Sequence, residues 1–343
     1  MLASKHRKKK EMRQFWAIIL AIITSLALTP TVRAVERLTV IYGAISGDMW
    51  PPVVAQKKGM FANNGLEITY IFIESGSRAT NVLLSGEAPI VEGLGGAAPF
   101  SATLGGSDIV VVASLVNTLS FDLLVTKEIQ RPEDFKGKTL GISRFGSTTD
   151  MGSRLALKKL GINAKDVTFL QIGSNPARLS AMLTGQVQGG LLNSYTYAPQ
   201  AGKLGLRTLF SLRDLGIEFP QSSTVTTRSY AKSRLQIVRQ YLRSLVEAIA
   251  WLKDERNRQE AQQIMAAFIR NQDRELLDNM YDSLVKKVFR PVPYPTVEAA
   301  QNVLDELALT NPKAKQAKPQ DFIDDRFLRE LEESGFIKGL YRR

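Results

Sequence analysis

Residues 66–100, LEITYIFIESGSRATNVLLSGEAPIVEGLGGAAPF, decide the fold of this chain. Residues 66–73 have the β-branched and aromatic content of a strand buried on both faces, and Ala88–Val91 begins another strand. Between them we predict a short helix capped by Ser77, and the turn at Gly93–Gly96 opens a second helix. Two parallel strands thus deliver helix N-termini to one rim of a sheet, where a polar or anionic ligand can bind.

The first 34 residues differ from the rest of the chain. Lysine or arginine occupies six positions before residue 14, and an apolar run follows from Phe15 to Leu28. Because this run is too short to span a bilayer comfortably, we expect a secretory signal peptide cleaved near Ala34. The alternative is an uncleaved N-terminal anchor. Since the sequence contains no cysteine, we do not expect a lipoprotein.

Composition favours a binding protein over an enzyme. The 343 residues, 44% of them hydrophobic, suit two domains or one domain with insertions. The leader carries six of the twelve net positive charges, so little support is left for nucleic-acid binding. His6, in the leader, is the only histidine. The mature chain would therefore lack the side chains for His-based triads, thiolate chemistry and N/S-type zinc sites.

The chain outside residues 66–100 is predicted to continue as strands and helices. A first strand spans Arg37–Ile45, and buried strands follow at Asp108–Val116 and Phe121–Thr126. A second βαβ series occupies residues 139–212, and a strand returns at Ser222–Thr227. From Ala231 the pattern is all-helical, with segments near 232–254, 257–270, 273–288 and 295–309. Two α/β units followed by packed helices are the expected organisation.

A glycine-rich turn after the second strand resembles a dinucleotide fingerprint. Gly93–Ala98 matches G-x-G-x-x-A between a strand and a helix. The next strand ends at Asn117 rather than at the acid that would bind a ribose, and an exported chain is a poor place for a nicotinamide enzyme. We therefore keep only a close approach of the backbone at Gly95, Gly96 and Ala97 to a polar ligand, and expect no cofactor.

The turn Gly146-Ser147-Thr148-Thr149 presents three hydroxyls at a helix start, where free N–H groups can hold an oxyanion. Ordinary N-capping by Ser147 or Thr148 is the alternative, but one hydroxyl suffices for a cap. We therefore expect this turn to contact a ligand, with the backbone N–H groups and the surplus hydroxyls supplying the hydrogen bonds.

Five further side chains have two interpretations each. Asp48 and Trp50 follow the first strand, either as a polar group and an aromatic wall of a cleft or as a loop with the tryptophan packed beneath it. Arg78 either pairs with an anion or lies along its own helix in solvent. Tyr195 and Tyr197 follow a strand end, and we expect one of them to face the cleft and the other to form a wall between lobes.

Several of these motifs together resemble a known family. Gly76-Ser77-Arg78, residues 135–138 (FKGK), Gly146–Thr149 and residues 321–327 (DFIDDRF) are similar to periplasmic solute-binding proteins of ABC importers. The resemblance is to the nitrate/sulfonate/taurine group, which includes the NMT1/THI5-like proteins, and it covers essentially the whole mature chain.

The resemblance implies a type II periplasmic-binding-protein fold, with two helix-flanked α/β lobes and a helical C-terminal region packed on the first lobe. After a signal peptide at 1–34, lobe 1 would comprise 35–120 and 224–343, and lobe 2 would comprise 121–223. The two crossings are expected near Leu119–Phe121 and Gln221–Thr224. The ligand would be clamped between the lobes.

By position, Gly146–Thr149 resembles the family's anion turn, and Ser46–Trp50, Gly76–Arg78 and Gly95–Ala97 resemble its first-lobe ligand loops. Relatives commonly carry an acid followed by proline after the strand that ends here at Leu192; an acid there would suit a ligand amine, and this chain has Asn193-Ser194-Tyr195. The predicted ligand-binding residues are Ser46, Asp48, Trp50, Ser77, Arg78, Gly95, Gly96, Ala97, Asn117, Gly146, Ser147, Thr148, Thr149, Asn175, Asn193, Ser194 and Tyr195.

The resemblance implies a periplasmic, monomeric binding protein that delivers a small, anionic organic molecule, such as a sulfonate or carboxylate, to a membrane permease and its ATPase. Aromatic and pyrimidine-like ligands remain open, and we expect no metal and no catalysis. Two alternatives are an exported lyase or hydrolase that uses a carboxylate or lysine in the same cleft, and a ligand-sensing binding protein.

Overall fold

The computed structural model describes residues 35–342, and the predicted signal peptide lies outside them. Within these residues no helix is long and apolar enough to cross a membrane. The described residues contain ten strands: β1 Glu36–Tyr42, β2 Leu66–Phe72, β3 Ile90–Leu94, β4 Ile109–Thr118, β5 Phe121–Thr126, β6 Thr139–Ile142, β7 Thr168–Gln171, β8 Gly189–Asn193, β9 Leu206–Ser211 and β10 Glu218–Thr227.

The strands form two sheets of the same design, with the orders β2-β1-β3-β10-β4 and β7-β6-β8-β5-β9. In the first sheet β1 lies parallel between β2 and β3, so that Val40 pairs with Tyr70 and Ile90. In the second, β6 lies parallel between β7 and β8. Each sheet also contains one strand, β10 or β5, that is antiparallel to both neighbours. The predicted α/β, two-lobed fold is confirmed, and the two sheets define a first and a second lobe.

Helices cover the sheets and fill the C-terminal part of the chain. They are α1 Trp50–Lys57, α2 Met60–Asn63, α3 Gly76–Ser85, α4 Ala97–Leu104, α5 Thr148–Lys159, α6 Asn175–Leu183, α7 Arg228–Ser233, α8 Leu235–Lys253, α9 Arg258–Ile269, α10 Arg274–Met280, a π-helical segment Tyr281–Val288, α11 Val297–Leu307, α12 Arg326–Glu333 and α13 Phe336–Leu340. The helix predicted at 273–288 is thus α10 continued by a wider π-helical segment.

Helix α8 attaches the C-terminal region to the first lobe. Its apolar residues recur at helical spacing and are buried, among them Leu242 and Leu245, in one core with Val40 and Ile90 of the first sheet. Each such side chain contributes about 1.5–3 kcal/mol by leaving water. The expectation that the C-terminal helices pack on the first lobe is therefore met by this core.

The two crossings between the sheets run side by side. The first is Leu119–Ser120, between β4 and β5, as predicted. The second spans residues 212–217, so the prediction that placed it near Gln221–Thr224 is wrong. Those residues lie inside β10, because Glu218 already pairs with Thr118. The N–H of Leu119 donates to the carbonyl of Ile217 at 3.2 Å, which ties the crossings together.

Glu92 is a carboxyl group buried in the core of the first lobe. Its oxygens accept hydrogen bonds from the hydroxyls of Thr224, at 2.9 and 3.1 Å, and Tyr241, at 2.9 Å. The Tyr241 hydroxyl lies 2.9 Å from that of Tyr70. Burial raises the pKa of Glu92 from its ordinary 4.5 to about 7, although these hydrogen bonds oppose the shift. The group therefore keeps its proton in the folded chain at pH values where the unfolded chain has lost it.

We predict that Glu92→Gln removes a pH-dependent loss of stability. Between pH 4.5 and 7 the folded state binds the extra proton, so the free energy of unfolding falls as pH rises. The neutral amide keeps an acceptor and costs no charge burial. At pH 8 Glu92→Gln should raise the free energy of unfolding by about 1–3 kcal/mol, with little change at pH 5.

Urea titrations at the two pH values measure this effect. The exposed Glu298, changed to glutamine, is the matched control and should behave as the parent protein at both values. If Glu92→Gln is less stable than the parent protein at pH 8, the proposed charge cost of Glu92 is refuted.

Candidate functional site

Many of the predicted residues meet in a polar cavity of about 70 Å³ between the two lobes. The first lobe supplies the segments after β1, β2 and β3, and the second supplies the end of β8 and the starts of α5 and α6. Its lining includes Ser46, Asp48, Glu74, Gly95 and Gln221 from the first lobe and Ser143, Ser147, Thr148, Thr149, Ser174, Asn175, Arg178 and Asn193 from the second. That the predicted residues among these contact a ligand remains a prediction.

Three hydrogen bonds close the cavity on one side by joining the loop after β1 to the loop after β8. The amide of Asn193 donates to Asp48 Oδ2 at 2.8 Å. The N–H of Gly47 donates to Thr196 Oγ1 at 2.9 Å, and the Tyr197 hydroxyl donates to the carbonyl of Ile45 at 2.9 Å. Tyr197 is therefore the one of the two tyrosines whose hydroxyl bonds across the cleft. The lobes are held together by polar contacts that an opening of the cleft would break.

The helix start at Gly146–Thr149 is only partly available to a ligand. Ser147 is the N-cap of α5 and accepts from the N–H of Asp150 at 3.3 Å. Its hydroxyl also lies 2.9 Å from those of Ser143 and Thr149, so these hydroxyls satisfy one another. Gly146 lies outside the cavity lining and donates its N–H to the Asp150 carboxylate. Ser147, Thr148 and Thr149 all line the cavity, so ligand contact by this turn through its surplus hydroxyls remains a prediction.

Thr148 is the hydroxyl of this turn that faces the first lobe. A Cβ added to Gly95 would lie 2.4 Å from Thr148 Oγ1, so only glycine permits this approach of the two lobes. The N–H groups of Thr148 and Thr149, in the first turn of α5, have no acceptor within the helix. Thr148 therefore combines a hydroxyl and an N–H at the cavity wall.

Arg178 is a site residue that the sequence analysis missed. Only 2% of it is exposed, and it donates to the carbonyls of Leu191, at 3.1 Å, and Gly173, and to Asn175 Oδ1 at 2.8 Å. Burial lowers the pKa of Arg178 to about 10, so it stays charged at neutral pH. The available signal was its place one turn into α6, because long helical side chains point back towards the helix start.

Asp48 is the buried acid of the first-lobe wall. It lies in the turn Gly47–Met49 and is 2% exposed. Burial raises its pKa from the ordinary 3.8 to about 7, and the hydrogen bond from Asn193 opposes the shift. The sequence prediction that placed Asp48 at the cleft is consistent with this position.

Trp50 and Tyr195 are core residues rather than walls of the cavity. Trp50 is fully buried, donates its indole N–H to the carbonyl of Ala261 at 2.9 Å and packs edge-on against Tyr281. This is the alternative interpretation, a tryptophan beneath the loop. Tyr195 is buried in the same core, with the Arg213 guanidinium 5.8 Å from its ring. Neither side chain lines the cavity.

Arg78 and Ser77 also lie outside the cavity lining. Arg78 pairs at 2.8 Å with Glu74, which precedes its helix, and lines a separate surface depression with Arg144. The N-cap position of α3 is Ser75, so the prediction that Ser77 caps this helix is wrong. Instead its hydroxyl donates to the carbonyl of Phe145 at 3.3 Å, across the cleft. Arg178, rather than Arg78, is thus the arginine in the cavity lining.

The remaining predicted residues have structural partners. Gly96 and Ala97 begin α4, and a Cβ on Gly96 would lie 2.7 Å from Pro220. Asn117 donates to the carbonyl of Tyr294 at 2.9 Å, and Ser194 donates to Asp122 at 2.8 Å. None of these residues lines the cavity.

Within the described residues, no cluster of three or more acidic or histidine side chains could hold a metal ion.

Comparisons with known proteins agree on the fold. The alkanesulfonate-binding protein SsuA from Xanthomonas axonopodis pv. citri, bound to MOPS, has a TM-score of 0.69 and 19% identity over 85% of this chain and 99% of its own. The periplasmic nitrate-binding protein NrtA from Synechocystis PCC 6803 has a TM-score of 0.72 and 14% identity over 88% of this chain and 89% of its own. A cysteine-to-serine mutant of DszB, in complex with biphenyl-2-sulfinic acid, has a TM-score of 0.59 and 15% identity over 88% of this chain and 99% of its own.

These identities are low, so the structural similarities concern the fold alone. No curated protein matches the chain. A family model described as "NMT1/THI5 like" matches residues 47–258, which is more than half of the sequence and includes the loop after β1, the helix start at Thr148 and the end of β8. The chain therefore belongs to the NMT1/THI5-like family.

Proposed function

We propose that this chain is the exported solute-binding component of an ABC import system, which clamps a small molecule with an anionic group between its lobes. The observation that carries the proposal is the polar cavity between two sheets of the same design, joined across the cleft at Asp48, Gly47 and Ile45. Binding proteins of two lobes close by rotation about a few connecting residues. The paired crossings at 119–120 and 212–217 would supply that hinge.

The second lobe supplies the anion-binding elements. Among the described residues, no carboxylate lies within ion-pair distance of Arg178, and three of its five N–H groups donate to neutral oxygens. A buried charge without a partner is costly, so an anion that reaches the guanidinium would be strongly favoured. The start of α5 at Thr148 adds N–H groups and the positive end of the helix dipole.

Two partners and a location follow from this assignment. The monomer would work outside the cytoplasm, after cleavage of its leader near Ala34, and would deliver the solute to a membrane permease driven by an ATPase. The structurally similar SsuA and NrtA bind alkanesulfonate and nitrate, respectively, which supports a small anionic group as the feature to be recognised.

A second candidate function is catalysis, because DszB, an enzyme, shares the fold. The solved DszB variant has a cysteine replaced, whereas this sequence contains no cysteine, and its single histidine is His6 in the leader. Catalysis in this chain would therefore need a carboxylate or a lysine. The polar cavity without a thiol or imidazole supports binding over turnover.

The decisive experiment identifies the solute. Protein purified from its native periplasm is denatured, and released small molecules are identified by mass spectrometry. The identified solute is then incubated with fresh protein. Stoichiometric recovery supports a binding protein, multi-turnover product would establish an enzyme, and absence of any retained or added small-molecule ligand would reject the proposal.

We predict that Thr148→Ala weakens binding of the identified solute by roughly tenfold to a hundredfold. A hydrogen bond to a charged group contributes about 1.5–3 kcal/mol, which converts to that range. Thr148→Ser keeps the hydroxyl and should bind nearly as the parent protein does. Calorimetric titration measures the affinities.

Ser147→Ala distinguishes capping from ligand contact at the same turn. Because Ser147 caps α5, this substitution should lower the free energy of unfolding by about 0.5–2 kcal/mol and leave affinity within a few-fold of the parent protein. Parent-like affinity in Thr148→Ala, or its loss in Ser147→Ala alone, would contradict the assignment of Thr148 as the ligand hydroxyl.

We also predict that the identified solute reduces the radius of gyration in small-angle scattering, because it closes the cleft. Thr196→Val removes the acceptor of the Gly47 N–H and should shift the solute-free protein towards the open form. Thr184→Val, which removes a hydroxyl bonded only within α6 and its end, is the matched control. An unchanged radius of gyration on addition of saturating solute argues against hinge closure.

A further inference from the structure

The first-lobe wall of the cavity contains buried polar atoms without partners. Asp48, Ser46 and Gln221 belong to the cavity lining, and among the described residues Asp48 Oδ1, Ser46 Oγ and Gln221 Oε1 are buried atoms without a hydrogen-bond partner. Two of the three are pure acceptors, an ionisable carboxyl oxygen and an amide oxygen. Buried polar groups are nearly always hydrogen-bonded, so this wall is built to receive donors. The second-lobe wall contains Arg178, whose side chain has only hydrogen-bond donors and a positive charge.

The orientation of the Asp48 carboxyl is fixed from the second lobe. The side-chain oxygen of Asn193 accepts from the N–H groups of Tyr195 and Thr196, both at 3.1 Å. Its NH₂ group must therefore face Asp48, where it binds Oδ2 at 2.8 Å. Asp48 lines the cavity, and its Oδ1 is left without a hydrogen-bond partner among the described residues.

No cation of the described residues lies within ion-pair distance of Asp48. Two charged residues, Glu74 and Arg178, share the cavity lining with Asp48. The titratable Tyr195 lies nearby, and the charges that act on it besides Asp48 are those of Arg213, Asp122 and Asp214. Burial and then the negative charge of Asp48 raise the pKa of Tyr195, and burial raises the pKa of Asp48 itself to about 7. A cationic ligand group at Oδ1 would stabilise the ionised carboxylate.

We propose that the solute is a small zwitterion, whose ammonium group binds Asp48 and Ser46 on the first lobe while its anionic group binds Arg178 and the start of α5 on the second. This inference rests on the proposed binding function and narrows its ligand class.

The test uses matched pairs that differ only in the amine: taurine and ethanesulfonate, β-alanine and propionate, and 2-aminoethylphosphonate and ethylphosphonate. Calorimetry at pH 7.5 should show that the parent protein binds the amine-bearing member of at least one pair tenfold or more tightly than its partner. Asp48→Asn keeps an acceptor for the Asn193 bond but cannot compensate an ammonium. It should lose the preference and bind the amine-free member as the parent protein does.

Asn193→Ala separates closure from recognition. It removes the bond across the cleft but leaves the free Asp48 oxygen, so it should weaken both members of a pair equally and retain the preference. As a measurement that needs no variant, the affinity of the parent protein for the preferred sulfonate or carboxylate amine should fall at least tenfold from pH 8 to 5.5, as Asp48 takes up a proton; the phosphonates are left out because they change charge themselves in this range. The affinity for the amine-free partner should fall by no more than threefold.

Each outcome decides the inference separately from the binding function. Equal affinity within every pair, or an amine preference that survives in Asp48→Asn, overturns the zwitterion while leaving a binding protein. Binding of none of the six probes also overturns it, and the solute retained from the periplasm then decides the binding function. An amine preference that is lost in Asp48→Asn and kept in Asn193→Ala supports both.

Discussion

The hydrogen bond between Asn193 and Asp48 is the contact on which the cavity depends. It joins the end of β8 to the loop after β1 at 2.8 Å, between buried groups that are far apart in sequence. Asn193 can make it only because its oxygen is held by the N–H groups of Tyr195 and Thr196. The same bond leaves one Asp48 oxygen without a donor. This bond joins the two lobes together with the bonds of Gly47 and Tyr197, and it leaves an unpaired acceptor in a residue that lines the space between them.

Asp48 and Glu92 have comparable burial but different partners. Burial raises the pKa of each to about 7. Hydroxyls of Thr224 and Tyr241 fill the Glu92 oxygens inside the first lobe, so the carboxyl is complete without a ligand. Asp48 has one donor and one free oxygen at the cavity. The number of satisfied oxygens, rather than the pKa, therefore separates the structural carboxyl from the candidate binding carboxyl.

The sequence predicted the elements better than the directions of side chains. Strand periodicity placed β5 at Phe121–Thr126, because local pattern determines such a span. The sequence could also find Gly95 and Thr148, which follow from strand ends. It named Arg78 and missed Arg178, although both arginines lie near the start of a helix that follows a strand. Only packing distinguishes them: Arg78 meets Glu74 at the surface, whereas Arg178 is enclosed by carbonyls. The prediction that Trp50 lines the cleft also depended on packing that the sequence does not show, because its indole N–H donates to Ala261 in a distant helix.

Opposite charges on opposite lobes would couple recognition to closure. Asp48 belongs to the first lobe and Arg178 to the second, so a ligand with one charged end could gain its main contact with the cleft still open. Only a ligand that reaches both poles binds the closed form more tightly than the open form, and this difference in affinity is what shifts a conformational equilibrium. The hinge at 119–120 and 212–217 would then respond to the complete zwitterion and weakly to its fragments. Asp48 and Arg178 would therefore determine both which solute binds and how far its binding favours the closed form.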